Sequence, residues 1–396
     1  MKPLLSLKVL DLTVGNPYVG SMLADYGAEV LKVEAPEGGD PLRAKGAAPG
    51  QTEGPYYAYY GRNKKSITID WAKPEGMEII KRLLPQFDLI VANVSEEKLA
   101  ARGLSYEQAK AIRPQIIYGI LTPFGEEGPW KDLPDYDLIV MARAALQEKT
   151  GFPERPTKFG FPLGYYYSSW HLVAGMLAAY LKAQETGEGC KVSTSTWHTV
   201  MSLDDTFAGC MQGLNVLPQR LGNGFPTTNP TDTFKCKNGW FSLSIGSDDQ
   251  WQSFARTVGN EVWEKDPRYA CDPVRSMENY FGDLDQQLRD YFATITIEEA
   301  DQICRTAMVP GGPCNTVKEL VEGNEQVEVR EMLLHVNDPV QGDTLQLGMP
   351  AKFLRDNEHD NDIAPAAALG EHTDAVLAGL QMSADEINSL RAGKII

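Results

Sequence analysis

Short apolar runs alternate with amphipathic stretches through the first two hundred residues. Lys8–Leu12 predicts a strand, Gly15-Asn16-Pro17 a turn, and the next stretch a helix to about Tyr26, with Pro17 in its first turn and Gly27 at its end. Ala28–Val33 predicts a second strand, which completes a β-α-β unit. Gly38–Tyr60 is rich in Gly, Pro and small residues and predicts a long surface loop. Strands are then expected at Ser66–Asp70, Asp88–Ala92 and Gln115–Leu121, and helices at Lys73–Leu84, Ser95–Ala101, Ser105–Ile112 and Tyr136–Leu146. The turn Phe161-Pro162-Leu163-Gly164 feeds an apolar helix to about Gln184, followed by an exposed turn at Glu185–Gly189 and a strand at Lys191–Thr196. Such alternation predicts a doubly wound α/β domain.

The pattern changes after about Arg220. A turn-rich linker at Gly222–Pro230 leads into a hairpin, Thr233–Cys236 and Trp240–Ile245, and then helices near Gln250–Thr257, Asp283–Phe292 and Ile297–Thr306. The expected division is a large domain over 1–220, a smaller α+β domain over 225–325, and a segment, 326–396, that returns to the large domain and ends in a helix at Ser383–Ala392.

Charge narrows the function. With 37 basic and 54 acidic residues among 396, the net charge is −17, which argues against nucleic acid and anionic membranes as partners. No apolar run reaches the ~18 residues of a membrane span, and the first residues are too short an apolar run for a signal peptide, so a cytoplasmic location is expected. Six cysteines without a C-x-x-C pair predict free, mostly buried thiols, and five histidines without H-x-x-x-H spacing give no expectation of a metal centre. G-x-G-x-x-G is absent.

The start of the long helix is the natural place for a nucleophile, because backbone N–H groups are free there and the helix dipole favours negative charge. The residues at that place are Tyr165, Tyr166 and Tyr167, and no Asp or Glu occurs between Glu154 and Glu185.

The runs Leu23–Glu34, Gly61–Ile67, Gly175–Ala179, Thr186–Gly189, Pro310–Thr316 and Leu369–Thr373, in this order, resemble the class III CoA-transferases. The resemblance implies an interlocked dimer whose Rossmann-like α/β large domain is built from both chain ends, with a smaller domain inserted. It implies a CoA thioester as substrate and no covalently bound cofactor. In the family an aspartate attacks the acyl-CoA thioester, a mixed anhydride forms, CoA becomes a thioester of the enzyme, and the acceptor carboxylate takes over. Counting back from Gly175–Ala179 puts that aspartate at Tyr165 and a usual glycine at Ser169. A phenol of ordinary pKa ~10 is neutral at pH 7 and forms no acyl anhydride, so no catalytic residue is expected in this chain.

Carried over position by position, the CoA contacts fall at Val14, Gly15, Ile69, Lys73, Asn93 and Arg102. The loop at Val14-Gly15-Asn16 is about two residues shorter than usual, and Ala35 stands where the family often has a basic residue. Without the resemblance, Asn93 reads as a turn residue, Arg102 as a helix cap and His171 as a core or interface histidine. Related racemases carry a histidine near Tyr136, which this chain lacks. The chain resembles the non-catalytic member of a heteromeric branch that moves CoA from succinyl-CoA to a carboxylic acid such as (R)-benzylsuccinate, its partner an aspartate-bearing class III subunit. Two alternatives stay open: a stand-alone CoA-binding or regulatory protein, and a CoA-ester isomerase or hydrolase using Asp135 or Asp137.

Overall fold

The computed structural model describes residues 2–16, 18–203, 213, 219–225, 228–355, 358–359 and 362–396. Pro17, and part of the linker expected at 222–230, lie outside the described residues. The chain divides into two compact units. The first comprises residues 1–144, 159–205 and 326–396, and the second 145–158 and 206–325.

The first unit is built on a six-stranded parallel sheet. Its elements are β1 (Lys8–Asp11), α1 (Tyr18–Asp25), β2 (Glu29–Glu34), α2 (Pro55–Tyr60), β3 (Lys64–Thr68), α3 (Pro74–Leu83), β4 (Leu89–Ala92), β5 (Ile117–Thr122), α4 (Asp137–Arg143), α5 (Leu163–Thr186), β6 (Lys191–Ser195) and α6 (Thr196–Ser202). The strand order is β3-β2-β1-β4-β5-β6, the doubly wound order of Rossmann-like domains. Side chains alternate across the sheet. Val9 joins Val19, Leu23, Val91, Leu172 and Met176 on the face covered by α1 and α5, while Leu10 joins Met77, Ile80, Leu83 and Ile90 on the face covered by α3. Leu377 and Ile387, from helices Thr373–Gly379 and Ala384–Ala392, pack into the second of these cores.

The second unit holds a three-stranded sheet of Thr231–Cys236, Gly239–Ser244 and Gly311–Pro313. Its core is aromatic, with Phe234 stacked on Phe292 at 4.6 Å and Trp251, Phe254 and Trp263 buried around them.

Four expectations need correction. The first boundary falls at 205 rather than 220, and residues 145–158 belong to the second unit. The helix expected at Tyr136–Leu146 stops at Arg143, because Ala145 takes a left-handed conformation at φ 63°. The loop expected at Gly38–Tyr60 lies on the surface over most of 44–52, but it is anchored inward at both ends. It ends in α2, and Arg43 within it is buried, donating to Glu34 through Nε at 2.7 Å and Nη2 at 2.8 Å. An ion pair that pulls a polar segment inward leaves no trace in apolar periodicity. Of the five described cysteines, all free, only Cys236 and Cys304 are buried.

Candidate functional site

The strand order reverses direction at β1, whose neighbours are β2 on one side and β4 on the other. The crevice beyond the carboxyl ends of β1 and β4 is where open α/β sheets bind ligands. Here the loop after β1 is tied down on both sides. Asn93, directly after β4, accepts from the Val14 N–H and donates to the Val14 carbonyl, both at 2.8 Å. Gly15, at φ +67°, donates its N–H to the Asp40 carboxylate at 3.1 and 3.2 Å.

Beneath this loop lies a buried set of charges. Lys32 stands 3.4 Å from Asp40 and 3.7 Å from Asp11, and donates to the Thr13 carbonyl. Burial opposes its charge, but Asp11, Asp40 and Glu34 outweigh burial and hold its pKa above the ordinary lysine value. Lys64, 3.7 Å from Asp11, is shifted the other way, chiefly by burial.

The helix α5 opens beside this crevice. Gly164 sits so close to its surroundings that a Cβ there would lie 2.8 Å from Asp137 Oδ1 and 2.9 Å from Thr196 Cγ2. That approach lets the buried Asp137 accept the Tyr165 N–H at 3.3 Å, placing a carboxylate at the positive end of the helix. The Tyr165 hydroxyl donates to Asp135 Oδ2 at 2.7 Å. Burial, and then the hydrogen bond and charge of Asp135, raise the phenol's pKa well above the ordinary tyrosine value. The phenol is therefore neutral at pH 7. Ser169, where a glycine was expected, is fully buried and donates to the Tyr165 carbonyl at 2.7 Å.

Together these residues enclose a cavity of about 220 Å³, lined by Val14, Gly15, Asn16, Asn93, Asp135, Tyr165 and Thr196 among others. Its described lining has one carboxylate, Asp135, and no basic side chain. The Asn16 Oδ1 is buried without a hydrogen-bond partner among the described residues and is an acceptor left open to a ligand N–H or O–H. With the Val14 and Gly15 N–H groups already engaged, the cavity suits a neutral, amide-bearing chain better than a phosphate.

The structure thus brings Val14, Gly15 and Asn93 to the Tyr165 cavity and leaves Ile69, Lys73 and Arg102 away from it. The Ile69 side chain is fully buried in the core and cannot itself reach a ligand. The Lys73 ammonium donates to the carbonyls of Gly393 and Lys394 at 3.2 and 2.9 Å. The Arg102 guanidinium lies over the Trp71 ring at 4.6 Å rather than capping a helix. His171 does not sit in the core: it is exposed on α5 and packs on the half-buried Tyr167 at 4.6 Å. Sequence reasoning missed Asp40 and Asn16. Asp40 stands in a glycine- and proline-rich loop that gave no sign of burial, and Asn16 was read only as a turn.

A parallel sheet of this order with a site at its reversal point defines a Rossmann-like α/β protein. A crystal structure of a CAIB/BAIF family protein from Brucella suis superimposes with a TM-score of 0.83 at 29% identity, covering 96% of this chain and 99% of that one. A hypothetical protein (Rv3272) from Mycobacterium tuberculosis gives 0.80 at 25% identity, with 95% and 99% covered. Residues 4–373 match the model of CoA-transferase family III, and the chain belongs to that family. The succinate–glutarate CoA-transferase of Agrobacterium fabrum is 31% identical over 96% of both chains. The succinyl-CoA–D-citramalate CoA-transferase of Chloroflexus aurantiacus is 28% identical over 100% of this chain and 98% of its own. Among the described residues no helix is long and apolar enough to cross a membrane.

Proposed function

We propose that this chain is the non-catalytic subunit of a heteromeric CoA-transferase, interlocked with an aspartate-bearing class III chain, that moves CoA from succinyl-CoA to a carboxylic acid such as (R)-benzylsuccinate. The observation that carries this reading is the phenol of Tyr165 at the start of α5, neutral and bonded to Asp135 where the family's nucleophile is expected. Asp137 already supplies the carboxylate at that helix end, from a buried position that holds the backbone. Relatives named for succinate and succinyl-CoA support the donor.

One observation favours a second reading. Asp135 lies in the same cavity and is exposed. Its carboxylate would attack the thioester carbonyl, expelling CoA thiolate and leaving an acyl anhydride on Asp135. One experiment separates the two. The purified chain is assayed for CoA transfer from succinyl-CoA to (R)-benzylsuccinate, alone and with an aspartate-bearing class III chain from the same organism. Activity only in the mixture, unchanged by Asp135→Asn, is the expected result. Activity of this chain alone, abolished by Asp135→Asn, overturns the non-catalytic reading in favour of the second. CoA binding with no turnover in either preparation points instead to a stand-alone binding protein.

A further inference from the structure

One residue beyond Tyr165, the same helix forms part of a second cavity of quite different chemistry. Tyr166 and Trp170, one turn apart on α5, face Tyr18 and Met22 of α1, Tyr60 of α2 and Met349, around a space of about 160 Å³. The rings are mutually oriented. Tyr18 meets Tyr166 at 4.2 Å and Tyr60 edge-on at 5.1 Å, and Tyr59 closes on Tyr60 edge-on at 4.8 Å.

Several polar groups of this wall are already engaged. The Tyr60 and Tyr166 hydroxyls bond to each other. The Ser21 hydroxyl donates to the Tyr60 carbonyl at 2.6 Å. The Arg62 guanidinium is held by Asp25 at 2.7 and 3.0 Å and by the Leu347 carbonyl at 2.7 Å, and it lies over the Tyr59 ring at 4.4 Å. Burial pushes the Tyr18 phenol up to about 12 and those of Tyr60 and Tyr166 further, so the phenols are neutral at pH 7. Among the described residues of the lining, no cation is left to receive a carboxylate or phosphate, and Asp25 repels one.

We propose that this aromatic cavity binds a single uncharged aromatic ring, either free or as the terminal group of a larger molecule. Volume supports the assignment, since an apolar cavity of about 150 Å³ stays dry and accepts benzene. Ring geometry supports it as well, because a flat guest gains offset and edge-on contacts from several rings at once, which a saturated ring of equal size does not. The site is separate from the Tyr165 cavity and does not depend on which chain carries the transfer chemistry.

The test uses the full chain and saturation-transfer NMR with benzyl alcohol as the probe and cyclohexylmethanol as the saturated control. Benzyl alcohol binds with a dissociation constant on the order of 1 mM, and the control binds at least about threefold more weakly. Met349→Trp fills the space and removes the signal, with folding checked by thermal melting. Trp170→Ala, at a ring 38% exposed, weakens binding by about threefold or more, with folding again checked by thermal melting. Tyr167→Ala, outside the cavity lining, leaves binding unchanged. No transfer to benzyl alcohol in the unaltered chain, or equal transfer to the saturated control, overturns the proposal. So does a signal that survives both Met349→Trp and Trp170→Ala.

Discussion

Tyr165 and Tyr166 are consecutive and chemically identical, yet they face two cavities that share almost nothing. The Tyr165 cavity lies at the carboxyl ends of the parallel strands, carries an exposed aspartate and an unpartnered amide oxygen, and is framed by buried ion pairs. The Tyr166 cavity is walled by rings and thioethers, and its Ser21, Tyr60, Arg62 and Tyr166 groups already have partners. One step along a helix turns a side chain by about 100°, and that rotation alone assigns the two phenols to different chemistry. The chemistry of one position therefore says nothing about what its neighbour does.

The hardest way to break this contrast is to remove Arg62. It is buried and sits between Asp25 and the chain near Leu347, so it holds one wall of the aromatic cavity. Arg62→Ala removes the ion-pair partner of Asp25, leaving it only the Asn63 amide, and is expected to cost about 3–5 kcal/mol, measured by urea unfolding. The benzyl alcohol signal is lost with it.

Acid attacks the other side. Burial opposes ionisation of Glu34, but the Arg43 guanidinium and the Ser66 hydroxyl overcome it and hold the carboxyl at about 2, below its ordinary 4.5. A folded-state pKa below the unfolded one means that the stabilisation is complete above about 4.5 and is lost as the pH falls towards 2. The loss amounts to roughly 3 kcal/mol. Urea midpoints taken from pH 5.5 to 2 will show that fall, and in Glu34→Gln the part due to Glu34 will be missing.

The strands and the long helices were legible because each is a periodic apolar run. The sheet came through in six segments, and α5 ends at Thr186, two residues beyond the expected Gln184. The place of the site was legible too, since turn and helix marked position 165. What periodicity could not carry was polar burial. Arg43 lies inside the protein paired with Glu34, and Lys32 paired with Asp40 and Asp11, and a pattern of apolar residues is silent about such pairs. Nor could it sort three adjacent tyrosines, whose roles depend on partners far away in sequence, Asp135 for one and Tyr60 for the next.

A smaller effect tests the seat of the helix. In Gly164→Ala the new methyl meets Asp137 Oδ1 and Thr196 Cγ2 at under 3.0 Å, so α5 must shift where it supports both cavities. The expected cost is about 1–3 kcal/mol, read from the melting temperature.

The smallest effect separates the two tyrosines most directly. Tyr165→Phe removes one hydrogen bond, to an aspartate that is exposed and regains water, so a loss of under about 1 kcal/mol is expected. Tyr166→Phe removes one of the two hydroxyl partners of half-buried Tyr60 and leaves it only Tyr18, and about 1–2 kcal/mol is expected. Paired unfolding curves measure the difference. If Tyr165→Phe proves the costlier of the two, then the Asp135 contact is a structural tie rather than the edge of an open cavity. The contrast between the two cavities would then have to be redrawn.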